Sequence, residues 1–344
     1  MQRIAGARDA LGVDHGDEVS QLAQFHEGPQ GHSIWEKPGS EFLSHGQRGT
    51  AYIVLAAPFH PKSMLPRLRS LLYIPATATR FMARAAQYGA DAIVLDLEDA
   101  VAPAHKAQAR ALLAPAIAGL KGACSLFVRI NAGEGLLRAD TEAALSAGCD
   151  GLVIPKVESA ADVLRVAALV DARGMSALHL QAIVETPLAM LRLDEIVHAS
   201  PRLASVAFGG EDFATALGVP PTPRTLAMPA QAVAIAALAA GLHPVGLAGT
   251  IGNYADLAQF RELADLSRAL GMRGAACIHP AQLAALHSCF GVSQEDLQQA
   301  RDIVSAYQHA LSRGQGAVAV AGRMVDAPIA ERARRLLLDA GENA

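Results

Sequence analysis

The run LASVAFGGEDF, Leu203 to Phe213, is an apolar strand pattern that ends in two glycines and two acids, Glu211 and Asp212. A second apolar run, LHLQAIVETP, Leu178 to Pro187, ends on Glu185. A third, DAIVLDLED, carries Asp96, Glu98 and Asp99 at its end. Strand-end carboxylates converging on one mouth suit a hard divalent cation, which takes oxygen ligands. Further strand ends supply Arg129 and Asn131, Lys156 and His279. Arg129 cannot ligate a metal, but its planar cation suits an oxyanion or a substrate carboxylate. Any one of these acids could equally be a helix N-cap. It is their recurrence at strand ends that points to an enzyme. His279 lies in a tight turn, where a structural imidazole bonded to backbone is as good a reading as a catalytic one.

The elements that must position these residues repeat regularly from Arg69. Short apolar runs fall at 70–74, 92–97, 126–130, 151–155, 180–184, 203–208, 244–247 and 275–278. Helical patterns lie between them at 80–88, 106–119, 140–147, 159–170, 188–198, 228–240 and 257–270. Continuous apolar strands alternating with amphipathic helices predict a parallel sheet. Eight β/α units in roughly 220 residues fit a (β/α)8 TIM barrel. A doubly wound sheet is the alternative, but the loop after the first strand, Pro75 to Thr79, lacks the glycines of a phosphate-binding turn. A C-terminal helical extension follows: a helix from Ser293 to Leu311, a strand-like run at 317–320, and a last helix from Ile329 to Leu338. The expected division is therefore a barrel over 64–290 and an arm over 291–344.

Residues 1–63 hold five of the twelve histidines and the only tryptophan, Trp35, with weak apolar periodicity. They are expected to be disordered or loosely attached. Protein beginning at Met64 is expected to keep its stability and activity.

Composition narrows the function classes. Of the 344 residues 51% are hydrophobic and only 4% aromatic, as expected of alanine-rich helices on aliphatic strands. The net charge of −4 supplies no basic field for nucleic acid. The greasiest segment, 232–242, is too short to span a bilayer of about 30 Å, so no membrane partner is expected. The four cysteines are scattered without CxxC pairs, which predicts reduced core thiols in a cytoplasmic protein.

Taken together, RSLLYIP, GADAIVLDLEDAVAP, VRIN, GLVIPKVES, AIVETPLAM, VAFGGEDFA, CIHPAQL and AGRMVDAPI resemble the citrate lyase β subunit and malyl-CoA lyase-like proteins of the HpcH/HpaI aldolase group, in the same order. The resemblance covers about 68–338. It implies Mg²⁺ held by Glu185 and Asp212, with Asp96 and Glu98 around the metal water. It implies that Arg129 contacts substrate and stabilises an enolate. It implies that Arg69 and Pro75 lie near a CoA group. Asp326 would be an acid/base supplied to a neighbouring subunit, in a homo-oligomer such as a trimer or hexamer. The implied reaction is carbon–carbon cleavage of a β-hydroxyacyl-CoA to an α-keto acid and acetyl-CoA. A malyl-CoA-type thioesterase, a pyruvate-class aldolase and a non-catalytic assembly subunit are the alternatives. The chain departs from the family at Ala76, at Gly271–Ala275, where a lysine is absent, and at Gly249–Tyr254, which replaces an acidic stretch.

Overall fold

The computed structural model describes residues 68–342, and the expectations for residues 1–63 lie outside them. Eight parallel strands follow one another: β1 (Ser70–Pro75), β2 (Ala92–Asp96), β3 (Ser125–Arg129), β4 (Gly151–Ile154), β5 (His179–Val184), β6 (Leu203–Phe208), β7 (His243–Gly246) and β8 (Ala275–Cys277). The sheet order is β7-β6-β5-β4-β3-β2-β1-β8. Gly246 donates its N–H to the Gly274 carbonyl at 2.9 Å and Arg273 donates to Pro244 at 3.0 Å, bringing β7 to β8 and closing the barrel. The barrel with a C-terminal helical extension is the architecture that the alternating pattern predicts.

Each strand faces two apolar environments, so it reads as a continuous apolar run. Its even and odd residues nevertheless part company. Leu71, Val94, Phe127, Val153, Ile183, Ala207 and Val245 fill the interior. Leu72, Ile93, Leu95, Val128, Leu152, Ala182 and Val206 pack outward into the helical layer. Gly151 is dictated by this filling, because a Cβ there would lie 2.3 Å from the Phe127 ring. The same two-residue period carries Asp96, Arg129 and Glu185 to the barrel axis at the C-terminal rim.

The helices differ from expectation mainly in their ends. The pattern at 188–198 forms two short helices, Pro187–Leu191 and Leu193–Val197, with Arg192 between them. The helix expected from Asp140 starts at Glu134, and the one expected from Met228 starts at Pro223. Two further helices form at Gly210–Leu217 and Leu283–Phe290. The first places Glu211 and Asp212 in a helical first turn, where the positive end of the helix dipole favours acids.

The arm consists of a helix at Gln294–Ser312, a hairpin of β9 (Val318–Val320) and β10 (Arg323–Val325), and a helix at Ala327–Asp339. Ala321 and Gly322 both have positive φ, the combination a two-residue hairpin turn requires. The arm has two apolar clusters of its own, one of which joins Tyr307, Val325 and Ala330. The four cysteines are free thiols, three of them buried. No helix among the described residues is long and apolar enough to cross a membrane.

Candidate active site

A cavity of about 540 Å³ opens at the C-terminal rim of the barrel. Asp96, Asp99, Arg129, Glu185, Glu211 and Asp212 bring charge to it, and Tyr73, Pro75, Phe208, Leu247, Ile251 and Ile278 bring apolar surface.

Arg129 is the organising cation. Its Nε donates to Asp96 Oδ1 at 2.8 Å and its Nη2 to Asp96 Oδ2 at 2.6 Å, a two-point grip that fixes the guanidinium plane. The plane lies over the Tyr73 ring at 5.3 Å. Nη1 is 2.8 Å from Glu98 Oε2, outside hydrogen-bond direction, so that buried oxygen has no donor. Burial opposes the charge on Arg129, but Asp96 outweighs it and raises the guanidinium's pKa.

The loop that carries Asp96 and Glu98 is held from behind. The Lys106 ammonium donates to the carbonyls of Leu97 and Glu98 and to Asn131 Oδ1, at 2.6–2.9 Å. Asn131 donates to the Leu97 carbonyl and to buried Asp140, which Arg110 neutralises. The polar residues after β2 and β3 therefore brace each other.

Glu185 is 3% exposed and follows β5 at an inward position. Its Oε1 accepts the Lys156 backbone N–H at 2.6 Å. Burial, with Asp212 and Glu98 nearby, pushes its carboxyl up to about 8. Gly209 gives it room, since a Cβ at that position would meet Glu185 Oε2 at 2.5 Å. The first glycine of GGED is thus a steric requirement of the acid on the neighbouring strand. Lys156 Nζ donates to Glu98 Oε1 at 2.6 Å and lies 3.4 Å from Asp99.

These features fit a divalent cation. An acid whose pKa is raised by burial and by other acids is one that a cation would ionise, and Glu98 Oε2, ion-paired to Arg129 but without a hydrogen bond, can accept from a metal-bound water. Among the described residues no cluster of three or more His, Cys, Asp or Glu side chains is set to hold a metal. A two-carboxylate site completed by water and substrate oxygens is what Mg²⁺ commonly uses.

The structure thus gathers Asp96, Glu98, Arg129, Glu185, Asp212 and Pro75 at one rim. It does not bring Arg69 there. Arg69 stands before β1, at the opposite end of the barrel, and grips Asp91 through Nε at 2.8 Å and Nη2 at 2.7 Å. Asp326 follows β10 and caps the last helix by accepting the Ile329 N–H at 3.3 Å. It is not among the residues lining this cavity. His279 accepts the Ala281 N–H on Nδ1 at 3.2 Å and stacks on Tyr254. Lys156 was named in sequence only as a strand-end residue, and its link to Glu185 had no signal there.

The family model described as HpcH/HpaI aldolase/citrate lyase matches residues 69–280. A (3S)-malyl-CoA thioesterase of Cereibacter sphaeroides is 38% identical over 261 residues, 75% of this chain and 89% of that protein. An L-malyl-CoA/beta-methylmalyl-CoA lyase of the same species is 36% identical over 287 residues, 75% of this chain and 90% of that protein. The structure of CitE from Mycobacterium tuberculosis in complex with magnesium, acetoacetate and coenzyme A is 29% identical, with a TM-score of 0.64 over 79% of this chain and 98% of that one. The chain belongs to the HpcH/HpaI aldolase/citrate lyase family and is an enzyme of that family.

Proposed function

We propose that the protein is a Mg²⁺-dependent lyase that cleaves or forms a β-hydroxyacyl-CoA such as malyl-, citramalyl- or citryl-CoA, giving an α-keto acid and acetyl-CoA. The observation that carries this is the meeting of Glu185, Asp212 and Arg129 in one cavity. Glu185 and Asp212 would hold the cation. When bound, Mg²⁺ supplies a Lewis acid for the substrate carboxylate and hydroxyl oxygens. Loss of the hydroxyl proton lets the carbon–carbon bond break, leaving charge on the thioester oxygen. Arg129 is set to stabilise that charge, because Asp96 fixes its plane before substrate arrives. Tyr73 and the apolar wall limit water around the enolate. Pro75, on the rim, fits beside the acyl-carrier end of the substrate.

Asp326 completes the reading as the acid/base that handles the enolate's proton. Its place between the hairpin and the last helix of an arm with its own small cores suits delivery to a second subunit in a cytoplasmic homo-oligomer, trimer or hexamer, with 64–290 as barrel and 291–344 as arm. Mixing inactive Asp326→Ala and Glu185→Ala proteins under subunit exchange should restore activity in sites that pair a good arm with a good barrel. Proven exchange without recovery would dispose of the shared site.

The deciding assay incubates the protein with Mg²⁺ and each of the three CoA esters, and measures keto acid, acetyl-CoA and free CoA separately. Keto acid and acetyl-CoA in equal amounts, abolished by chelator, is the expected result. Release of free CoA with the hydroxy acid intact would instead favour a thioesterase, the activity named for the 38% identical relative.

A further inference from the structure

Lys156 adopts φ = 51°, one of two described non-glycine residues at positive φ. A long side chain rarely occupies this region, which glycine enters freely. In an extended strand successive N–H groups point to opposite edges. The left-handed turn after β4 instead sends two successive ones to the β5 chain. Lys156 N–H reaches Glu185 Oε1 at 2.6 Å, and Val157 N–H reaches the Ile183 carbonyl at 3.2 Å. Glycine would make this turn at lower cost, so the lysine is there for its ammonium. That group is 2.6 Å from Glu98 Oε1, and the other oxygen of Glu98 is 2.8 Å from Arg129 Nη1. A single residue therefore touches Glu185, the proposed metal ligand, through its backbone and Glu98, the partner of Arg129, through its side chain.

We infer that Lys156 is a positioning residue with two separable tasks: its backbone fixes Glu185 for the metal, and its ammonium holds Glu98 against Arg129. The inference rests on the lyase reading above. Lys156 is not among the residues lining the cavity, so it acts through Glu185, Glu98 and Arg129. Strained backbone persists where the surroundings over-determine it, commonly beside functional groups.

Two substitutions separate the tasks. Lys156→Gly keeps the turn and its N–H but loses the ammonium. Lys156→Val loses the ammonium and also resists positive φ, being β-branched. Mn²⁺ binding, followed by electron paramagnetic resonance in the absence of substrate, reports the backbone task. The split between kcat and KM for the CoA ester reports the side-chain task. Lys156→Gly should bind Mn²⁺ within about threefold of wild type, melt within a few degrees of it, and lose roughly tenfold or more in kcat with a smaller change in KM. Lys156→Val should weaken Mn²⁺ binding by about tenfold or more as well. Lys156→Arg should recover part of the kcat that Lys156→Gly loses. Wild-type kcat in Lys156→Gly, or Mn²⁺ binding in Lys156→Gly as weak as in Lys156→Val, would overturn the inference. Should Lys156→Val fail to fold, Lys156→Thr, also β-branched but with a polar side chain, takes its place in the Mn²⁺ measurement. A wild-type protein that binds no Mn²⁺ and turns over no CoA ester would instead remove the lyase reading itself.

Discussion

The two ends of the barrel carry the same pair of residues in opposite electrostatic situations. At the C-terminal rim Arg129 grips Asp96 with two hydrogen bonds, and at the N-terminal base Arg69 grips Asp91 in the same way. At the base the pair is balanced. Asp91 also accepts the Arg69 backbone N–H at 2.8 Å, and no second carboxylate approaches Arg69 within ion-pair distance among the described residues. At the rim, among the described residues, the ion pairs of Asp96, Glu98, Asp99, Glu185, Glu211 and Asp212 are made with two cationic side chains, Arg129 and Lys156. Cavity size does not make the distinction, because the base carries a wider depression of about 770 Å³. Uncompensated charge does. A balanced pair contributes to stability, whereas surplus acid creates a place for a cation.

The largest way to break the rim is to remove a ligand. Glu185→Ala or Asp212→Ala should lose essentially all CoA-ester cleavage, because one carboxylate retains too little charge to hold Mg²⁺ at millimolar concentration. Turnover measured across a Mg²⁺ series checks this, and full activity of either variant in chelator would refute the metal role. Arg129→Lys comes next. Lysine keeps the charge but cannot bind Asp96 through two parallel N–H groups and still face substrate. The expected loss is about 2.7–4 kcal/mol of transition-state stabilisation, with a normal melting temperature. A fall in kcat of less than roughly threefold would count against it.

The surplus should also cost stability. Burial and neighbouring acids raise Glu185 to about 8, above its usual 4.5. The folded protein then holds a proton that the unfolded chain has released, and metal-free stability falls as pH rises from about 4.5 to about 8. Glu185→Gln, uncharged at every pH, should therefore be the more stable protein at pH 8 by on the order of 1–3 kcal/mol, and much closer to wild type at pH 5. Thermal melts in chelator at the two pH values sharpen the comparison. A variant that loses activity without gaining stability at pH 8 would show that burial of Glu185 is less costly than its surroundings indicate.

Much of this was legible in the chain. All eight barrel strands stand within about a residue of their apolar runs, because a strand covered on both faces needs apolar side chains on both. The convergence of Glu185, Asp212 and Arg129 on one rim was legible because all three stand at the ends of such runs, which a parallel barrel brings together. Helix ends were harder to read. The helices that start at Glu134 and Pro223 carry leucines in their first turns, Leu136, Leu137 and Leu226, but the adjoining Gly135 and Pro223 read as breakers. Arg69 shows a different limit. It shares the inward parity of Leu71 and Tyr73, and motif order grouped it with Pro75. Six residues of strand at about 3.3 Å each nevertheless separate the two by about 20 Å. Lys156 was illegible for a third reason: nothing in one sequence announces a positive φ at a lysine.

The smallest expected effect concerns the base and tests whether it is only structural. Asp91 is penalised by burial, but the hydrogen bonds and charge of Arg69 outweigh this and hold its carboxyl below the usual 3.8. A depressed acid contributes stability above its unfolded pKa and loses it as pH falls through the folded one. Asp91→Asn should therefore lower unfolding free energy at pH 7, and the gap should narrow below about pH 4. The Arg69 side chain is 29% exposed, so solvent screens the pair and the loss should be about 1–2 kcal/mol rather than that of a fully buried ion pair. Denaturant titrations of both proteins at pH 7 and pH 3 measure the gap. Turnover should stay within about twofold of wild type, because the substitution lies a barrel's length from the cavity. Equal stability at pH 7, or a gap that widens on acidification, would refute the balanced-pair account. A large fall in kcat with stability intact would mean that the base takes part in the chemistry, and the contrast between the two ends would collapse.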